Sequence, residues 1–297
     1  MVRSDQPGAA LAYHRRIIHE RSALNVFSID AAAAFAAGYP AQWVAFKHQL
    51  KSHRLLTISA LADLARRLDP GSVDHRHAAG DDTDHPPRLA ASDAIQTIQT
   101  TGACIALRNI ETVPEYSRFM TELTEDLALS VHALTGEMLR RQGVVVISSP
   151  GIFSPVHFDA EHWVTLQVTG TKSFAIFASR DGNTPSTEAH ERFHGGDRQP
   201  LLAHETPADG ARNITVGPGD GVYIPPMAAH SVHNGKTPLI ALSIGWHSQW
   251  SEAERDARRA NALLRRVGLR PPAPSAWPHR ARLRPAFWRL LQTIGAG

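Results

Sequence analysis

Residues 154–172 read SPVHFDAEHWVTLQVTGTK, and this stretch decides the fold. Its β-branched and aromatic residues are typical of strands. Further short runs of this kind, separated by Gly and Pro, lie between Val144 and Trp246: VVVISS, SFAIFA, NITV, GVYIP and LIALSIGW. Because no helical pattern is evident between these runs, they predict an antiparallel barrel or sandwich rather than a parallel sheet.

His157 and Asp159 flank a single phenylalanine in this stretch. Side chains alternate between the two faces of a strand, so these two should point the same way and Phe158 the opposite way. An imidazole and a carboxylate on one face supply two of the three protein ligands of a non-haem Fe(II) site. The pair predicts a metal site, although a chain with 17 histidines can contain such a pair by chance.

The third ligand should be a histidine from another strand, and residues 217–235, GPGDGVYIPPMAAHSVHNG, supply the candidate. A Gly/Pro turn, a short strand and a Pro pair lead there to His230, at the start of the next strand. His233 lies three residues further on, and this odd spacing places it on the opposite face. We therefore expect His230, on a strand adjacent to that of His157, to complete the site.

Lys172 begins the run KSFAIF, directly after a Gly-containing turn. An ammonium group among such apolar residues is costly to bury without an anionic partner. It could extend out of the mouth of the barrel, or it could bind a carboxylate of a small dianion chelated to the metal. In the second interpretation the hydroxyl group of Ser154 could bind the same carboxylate.

Trp163 and Thr165 lie at even spacing from Asp159, so they should also face the interior of the barrel. These two residues could either pack in the core or line the site.

Composition indicates an ordinary globular chain, with 297 residues of which 42% are hydrophobic. The apolar runs are far shorter than the roughly 20 residues that span a bilayer, and no charged-then-apolar leader opens the chain. We therefore expect a cytoplasmic protein with no membrane association. The single cysteine, Cys104, cannot form an internal disulfide and is interpreted as a small buried hydrophobic residue.

Three regions are expected along the chain. Residues 1–142 should form a helical region that packs on the barrel, with a flexible polar loop over 70–90, and apolar residues from Tyr116 to Leu134 recur there at helical spacing. Residues 143–250 should form the β core and residues 251–297 a C-terminal helical region. The last region has ten arginines and three acidic residues, but their helical alternation is typical of a solvated helix, so nucleic-acid binding is not expected.

Four segments of the chain carry a family resemblance: YPAQWVAFKHQLKSHRLLTISALADLARRL, ISSPGIFSPVHFDAEHWVTLQVTGTKSFAIF, GDGVYIPPMAAHSVHNG and RRANALLRRVGLRPPAP. They resemble the jumonji-type, cupin-like Fe(II)/2-oxoglutarate oxygenases, in particular a bacterial group labelled cupin-like or transcription factor jumonji. The resemblance implies a mainly β fold with flanking α, namely a double-stranded β-helix (a jelly-roll, cupin-like barrel) with N-terminal and C-terminal helices.

The resemblance also assigns roles to individual residues. His157, Asp159 and His230 match the family's Fe(II) ligands. Lys172 matches the lysine that binds the distal carboxylate of 2-oxoglutarate, and Ser154 falls where a hydroxyl group often assists.

Two departures from the family pattern concern the surroundings of the metal. Bulky aromatic residues usually precede the last histidine, whereas this chain has MAAH, which opens space. Some members place an Asn on the following strand, where this chain has Ser243 and Gly245. Ser243, Trp163 and Thr165 are included among the candidate cofactor-binding residues.

The activity implied by the resemblance is hydroxylation of a peptide or protein side chain, or of a peptide-like natural product, with Fe(II), 2-oxoglutarate and O₂. A small-molecule hydroxylase and a jumonji demethylase would use the same centre. A non-enzymatic, DNA-associated regulator is a further alternative, and a cupin enzyme without 2-oxoglutarate would have no use for Lys172. A homodimer through the C-terminal helices, at 252–267, is also expected.

Overall fold

The computed structural model describes residues 26–77, 89–177, 186–196, 210–274, 277–278 and 282–293. Its helices α1–α7 span, in order, Ile29–Gly38, Ile58–Arg67, Ala91–Gln96, Pro114–Thr135, Thr187–His194, Gln249–Arg266 and Leu283–Thr293. Its strands β1–β11 span Val44–Lys47, Val73–His77, Ala103–Arg108, Met138–Ser148, Phe153–His157, His162–Thr169, Lys172–Phe177, Ala211–Val216, Asp220–Ile224, His230–Asn234 and Leu239–Ser248. Short 3-10 turns lie at Arg54–Leu56, Pro70–Ser72 and Ile110–Thr112.

Two antiparallel sheets pack face to face. Within the described residues, the larger has the strand order β1-β9-β6-β11-β4-β3-β2 and the smaller β5-β10-β7-β8. From β4 to β11 the chain changes sheet at nearly every connection, which is the connectivity of a double-stranded β-helix. Phe174 and Ile176 of the small sheet belong to one buried cluster with Val222 and Ile224 of the large sheet. The predicted fold class, mainly β with flanking helices, is confirmed.

Helices α2 and α4 cover the outer face of the large sheet and complete the main core. Helix α4 buries the stripe that its sequence predicts, including Tyr116, Phe119 and Leu123. Leu134, which the pattern places on the same stripe, is 40% exposed in the last turn of the helix. The helix is thus held by the apolar face that its 3.6-residue period creates.

Leu123 tests this packing because its side chain is fully buried. We expect Leu123→Ala to lower the free energy of unfolding by about 2–5 kcal/mol, since it removes apolar contacts and leaves a cavity. Urea denaturation followed by circular dichroism measures this difference. Leu134→Ala is the matched control and should change stability by about 0.5 kcal/mol or less.

The predicted helical N-terminal region also contains strands. β1, β2 and β3 belong to the large sheet, and β4 begins at Met138, before the expected boundary at 143. The loop prediction for 70–90 is wrong over Val73–His77, which forms β2, while residues 78–88 lie outside the described part. VDHRH gives no apolar alternation, because one of its faces lines a polar cavity described below. The division into 1–142, 143–250 and 251–297 stays a prediction.

A helix also interrupts the β runs, where none was expected. α5, TEAHERFH, lies in the connection between β7 and β8. It is only eight residues long and mostly polar, so its sequence carries little helical periodicity.

The arginines of the C-terminal region are less solvated than predicted. On α6, Arg258 is 7% exposed and pairs with Glu254 at 2.8 Å, and Arg265 pairs with Glu191 of α5 at 2.6 Å. The second pair therefore joins α6 to α5, while the first lies within α6. None of the helices in the described ranges is long and apolar enough to cross a membrane.

Candidate metal centre

The structure brings His157, Asp159 and His230 together. His157 ends β5 and is paired directly with His230, the first residue of β10, while Asp159 follows two residues later. One potential ligand atom from each of the three lies within 4.8 Å of those of the other two. The imidazole centroids are 4.4 Å apart, and His230 Nε2 lies 3.8 Å from Asp159 Oδ2.

Backbone carbonyls orient both imidazoles. The Nδ1–H of His157 donates to the carbonyl of Pro155 at 2.7 Å, and that of His230 donates to the carbonyl of Ala228 at 2.9 Å. Each ring therefore keeps its Nε2 lone pair for a metal, as in most histidine-ligated sites. Burial, and next the nearby His157, lower the pKa of His230 to about 3, so the ring is neutral, the form that binds metal.

One hydrogen bond joins the two segments that supply the ligands. The N–H of Met227 donates to the carbonyl of Asp159 at 2.7 Å. Met227 has a φ of +60°, a left-handed conformation that costs roughly 1–2 kcal/mol for a residue other than glycine. The turn before His230 thus adopts this left-handed conformation at the residue that is hydrogen-bonded to Asp159.

His233, the rejected alternative, lies away from the centre. It is exposed, and its ring contacts that of Phe153 at a centroid distance of 6.3 Å. Strand alternation therefore predicts the positions of both rings: His230 at the centre and His233 away from it.

A cavity of about 670 Å³ opens between the two sheets at this centre. All eight residues predicted for the site line it: Ser154, His157, Asp159, Trp163, Thr165, Lys172, His230 and Ser243. The sequence therefore identified one connected site.

Lys172, the first residue of β7, lies inside this cavity with 8% of its surface exposed. Burial lowers the pKa of its ammonium group to about 8, with a small opposing effect of Cys104. Within the part of the chain that the structure describes, no carboxylate forms an ion pair with it. The interpretation that it extends into solvent does not hold, and a buried cation without a protein anion favours an anionic ligand.

Two residues beside Lys172 were missed or misread. Asn234 pairs with Lys172 in the strand register, lines the cavity and donates from Nδ2 to Ser148 Oγ at 2.9 Å. Its even spacing from His230 could have identified it. Cys104 is partly exposed to the cavity and is not the buried hydrophobic residue that was expected. Burial raises the pKa of its thiol, so it stays protonated at neutral pH.

Trp163, Thr165 and Ser243 form the floor near the metal centre. Thr165 Oγ1 and Ser243 Oγ are hydrogen-bonded at 3.0 Å. The indole of Trp163 lies directly on Gly245, where an added Cβ would be 2.7 Å from the ring atom Cη2. The family departure at Gly245 thus makes room for this ring.

The outer wall of the cavity comes from β2 and β3. Arg76 makes two hydrogen bonds of 2.9 Å to Asp74, and Arg108 approaches the same carboxylate at 3.4 Å. Burial alone would raise the pKa of Asp74, but the two guanidinium groups outweigh it and hold the pKa below its usual value.

The pentapeptide HERFH at 190–194 matches the H-E-x-x-H pattern of helical zinc sites. Burial, and next Arg258, lower the pKa of His190 to about 3. The carboxylate of Glu191 is already engaged by Asn261 at 3.0 Å and by Arg265 at 2.6 Å. No third His, Cys, Asp or Glu among the described residues completes a metal site there.

The donor set at 157, 159 and 230 fits Fe(II). Two imidazoles and one carboxylate on one side of an ion are the 2-His-1-carboxylate set of non-haem iron oxygenases, and they leave further positions open. The cavity supplies room on that open side.

Residues 129–254 match the family model described as the JmjC domain. This part of the chain is therefore similar to the JmjC domain, in agreement with the resemblance read from the sequence. The matched range holds every predicted site residue, whereas Cys104, Arg76 and Arg108 lie outside it.

Several solved structures are similar to this chain. YcfD from Escherichia coli is 15% identical, with a TM-score of 0.48 over 89% of this chain and 66% of that chain. YcfD described as a ribosomal oxygenase in complex with cobalt and 2-oxoglutarate is 15% identical, with a TM-score of 0.46 over 93% and 67%. Oxalate decarboxylase from Bacillus subtilis is 23% identical, with a TM-score of 0.25 over 36% and 21%. The chain spans about two thirds of the length of YcfD, and no curated protein matches it.

Proposed function

We propose that this protein is an Fe(II)- and 2-oxoglutarate-dependent oxygenase that hydroxylates a peptide or protein side chain, or a peptide-like natural product. One observation carries the proposal: the 2-His-1-carboxylate set lines the same cavity as the buried Lys172, which pairs with no carboxylate among the described residues. The metal set alone would suit many cupin enzymes. The additional buried cation selects a co-substrate with a second carboxylate.

His157, Asp159 and His230 would hold Fe(II) from one side. When bound, iron would let O₂ oxidise both partners: one oxygen atom enters succinate as 2-oxoglutarate loses CO₂, and the other hydroxylates an unactivated C–H bond. The protein orients these groups and excludes water. The site suits both tasks. Hydrogen bonds of 2.7 and 2.9 Å to backbone carbonyls hold the two imidazoles, and Trp163 closes the floor of the cavity.

Lys172 would bind the distal carboxylate of 2-oxoglutarate. A charge-assisted hydrogen bond from its ammonium group would offset the cost of burying that cation. Ser154 lines the same cavity and would contribute its hydroxyl group, and the amide of Asn234 lies on the strand beside Lys172.

The cavity, of about 670 Å³, has room for a substrate beside the metal ligands. Its lining includes Ser154 of β5 and, from β2 and β3, Arg76 and Arg108. Ala228 and Ala229, the small residues before His230, are buried and are not among the residues that line the cavity, so the space expected from MAAH is not found there.

The test is the release of succinate from 2-oxoglutarate with Fe(II) and O₂, followed by mass spectrometry of lysate peptides. We expect succinate at a rate above that of the His157→Ala variant, and peptides that gain one oxygen atom. Loss of a methyl group from peptides would favour the demethylase alternative. No Fe(II)-dependent succinate above the variant would refute the proposed activity.

We also propose a homodimer through the C-terminal helices. α7 exposes Leu283 (87%), Phe287 (41%) and Leu290 (61%) at spacings of four and three residues, which is one face of the helix. Much of α6 is already covered, with buried positions from Ser251 to Asn261. A second copy would therefore pack mainly on α7, and not on 252–267 as first expected.

Leu290→Glu should dissociate this dimer. Burying one leucine contributes about 1.5–3 kcal/mol, so its loss should weaken association by roughly tenfold or more. Light scattering over a range of protein concentrations measures the change, with Leu134→Glu on α4 as the control. A wild-type chain that stays monomeric throughout would refute the dimer.

We further propose that the protein is located in the cytoplasm, a reducing compartment. This location is supported by Cys104, the single cysteine of the chain, which is a free thiol.

A further inference from the structure

Phe158, between the two ligands His157 and Asp159, packs on α5. Its side chain is 6% exposed. Its ring meets that of His190 at a centroid distance of 5.2 Å and that of Phe193 at 4.8 Å, both edge to face. It belongs to neither of the two hydrophobic clusters that form the core of the described residues. Within the described residues both ring contacts of Phe158 are with α5, and Phe158 also lines the cavity together with Phe193.

α5 is itself fixed to α6 by polar contacts. Glu191, 2% exposed, accepts hydrogen bonds from Asn261 Nδ2 at 3.0 Å and Arg265 Nε at 2.6 Å. Arg259 Nε donates to the carbonyl of His194 at 2.8 Å. Because these bonds involve charged groups in a mostly buried interface, they hold the helix firmly.

The segment that Phe158 anchors has little support from the sheet. The pairing of β5 with β10 ends at His157, so Asp159 lies beyond the ladder. Holding Phe158 against α5 thus fixes the segment between its two neighbours, whose ligand atoms lie within 4.8 Å of that of His230.

We propose that α5, acting through Phe158, is a positioning element for the metal ligands His157 and Asp159. This inference rests on the proposed function, because it requires that these residues bind a metal. It makes the α5–α6 contact, remote from the centre, a determinant of metal affinity. Phe158 is a positioning residue, since it would act on the metal through its neighbours His157 and Asp159.

Metal affinity of the full chain tests the proposal without any measurement of turnover. Co(II) is titrated into the protein and followed by calorimetry. We expect Phe158→Ala to weaken Co(II) binding by at least about tenfold, the range found when groups that orient metal ligands are removed. Phe158→Leu, which keeps apolar volume against α5, should recover most of this loss. Phe153→Ala, on the strand that precedes Phe158 but 61% exposed, should bind as the wild type does.

A second variant separates positioning from general stability. Glu191→Gln keeps the size of the side chain but weakens its bonds to α6. Through α5 it should weaken Co(II) binding by about 2- to 30-fold, the range for residues that act through others. A lowered thermal midpoint with an unchanged Co(II) dissociation constant would overturn the proposal.

The outcomes remain distinguishable. If the wild type binds no Co(II), the metal site of the proposed function fails, and this inference fails with it. If the wild type binds and a folded Phe158→Ala binds equally well, only the inference is overturned. Should Phe158→Ala not fold, Phe158→Leu and Glu191→Gln decide the matter by the same measurement.

Discussion

Alanine at His157 or Asp159 is expected to abolish tight metal binding. The wild type should take up close to one Fe(II) per chain in an anaerobic titration. Removing one ligand of three should cost more than the roughly 10–100-fold that loss of an outer-shell partner costs. Each of the three residues supplies one of the ligand atoms that meet within 4.8 Å. The two ligands that remain in either variant therefore form an incomplete set.

His233→Ala is the matched control for the ligand variants. It removes an imidazole of the same strand as His230, but one that is exposed and packs on Phe153. We expect its Fe(II) titration to match that of the wild type. Tight binding retained in both His157→Ala and Asp159→Ala would place the metal elsewhere in the chain.

The second large effect is expected at Lys172. Lys172→Ala removes the buried cation that would pair with the distal carboxylate. Breaking a buried charge pair by removing one partner costs about 3–5 kcal/mol, which is roughly 150- to 5,000-fold in a dissociation constant. Calorimetric titration of 2-oxoglutarate into the Co(II)-loaded protein measures this loss.

A keto acid without a distal carboxylate provides the control for Lys172. 2-Oxobutyrate can chelate the metal but offers nothing to the ammonium group. Its affinity should be nearly the same for the wild type and Lys172→Ala. Equal losses for both keto acids would mean a general collapse of the cavity, and no loss for 2-oxoglutarate would refute the assignment of this co-substrate.

The pKa of Lys172 also predicts a pH dependence. Burial lowers it to about 8 in the ligand-free protein. The ammonium form binds a carboxylate, so below about pH 8 this group should leave the affinity for 2-oxoglutarate unchanged. Above this value each binding event must take up a proton, and the affinity should fall by about tenfold per pH unit. In the same titrations, the affinity of Lys172→Ala for 2-oxoglutarate should not show this decrease above pH 8.

The centre could be read from the sequence because its geometry is local. Strand alternation is enough to place His157 and Asp159 on one side, and odd spacing is enough to separate His233 from His230. Lys172 stands out because a cation in the run KSFAIF has no ordinary reason to be buried.

The parts that were missed depend on contacts between distant segments. β2 has no apolar alternation, since the face that carries Asp74 and Arg76 lines the cavity. The role of α5 becomes visible only where Phe193 meets Phe158, 35 positions earlier in the sequence. Local periodicity contains no information about such a contact, and the pairing of charges between α5 and α6 is hidden for the same reason.

The bond from the Met227 amide to the carbonyl of Asp159 has a consequence for protein engineering. Transplanting the H-x-D tripeptide into another barrel would carry over two donors without the loop that secures one of them. The short PPMA bend is thus as much a part of the transferable unit as the tripeptide. Lengthening this bend by even one residue should disturb Asp159 and His230 at the same time, although they are 71 positions apart in the chain.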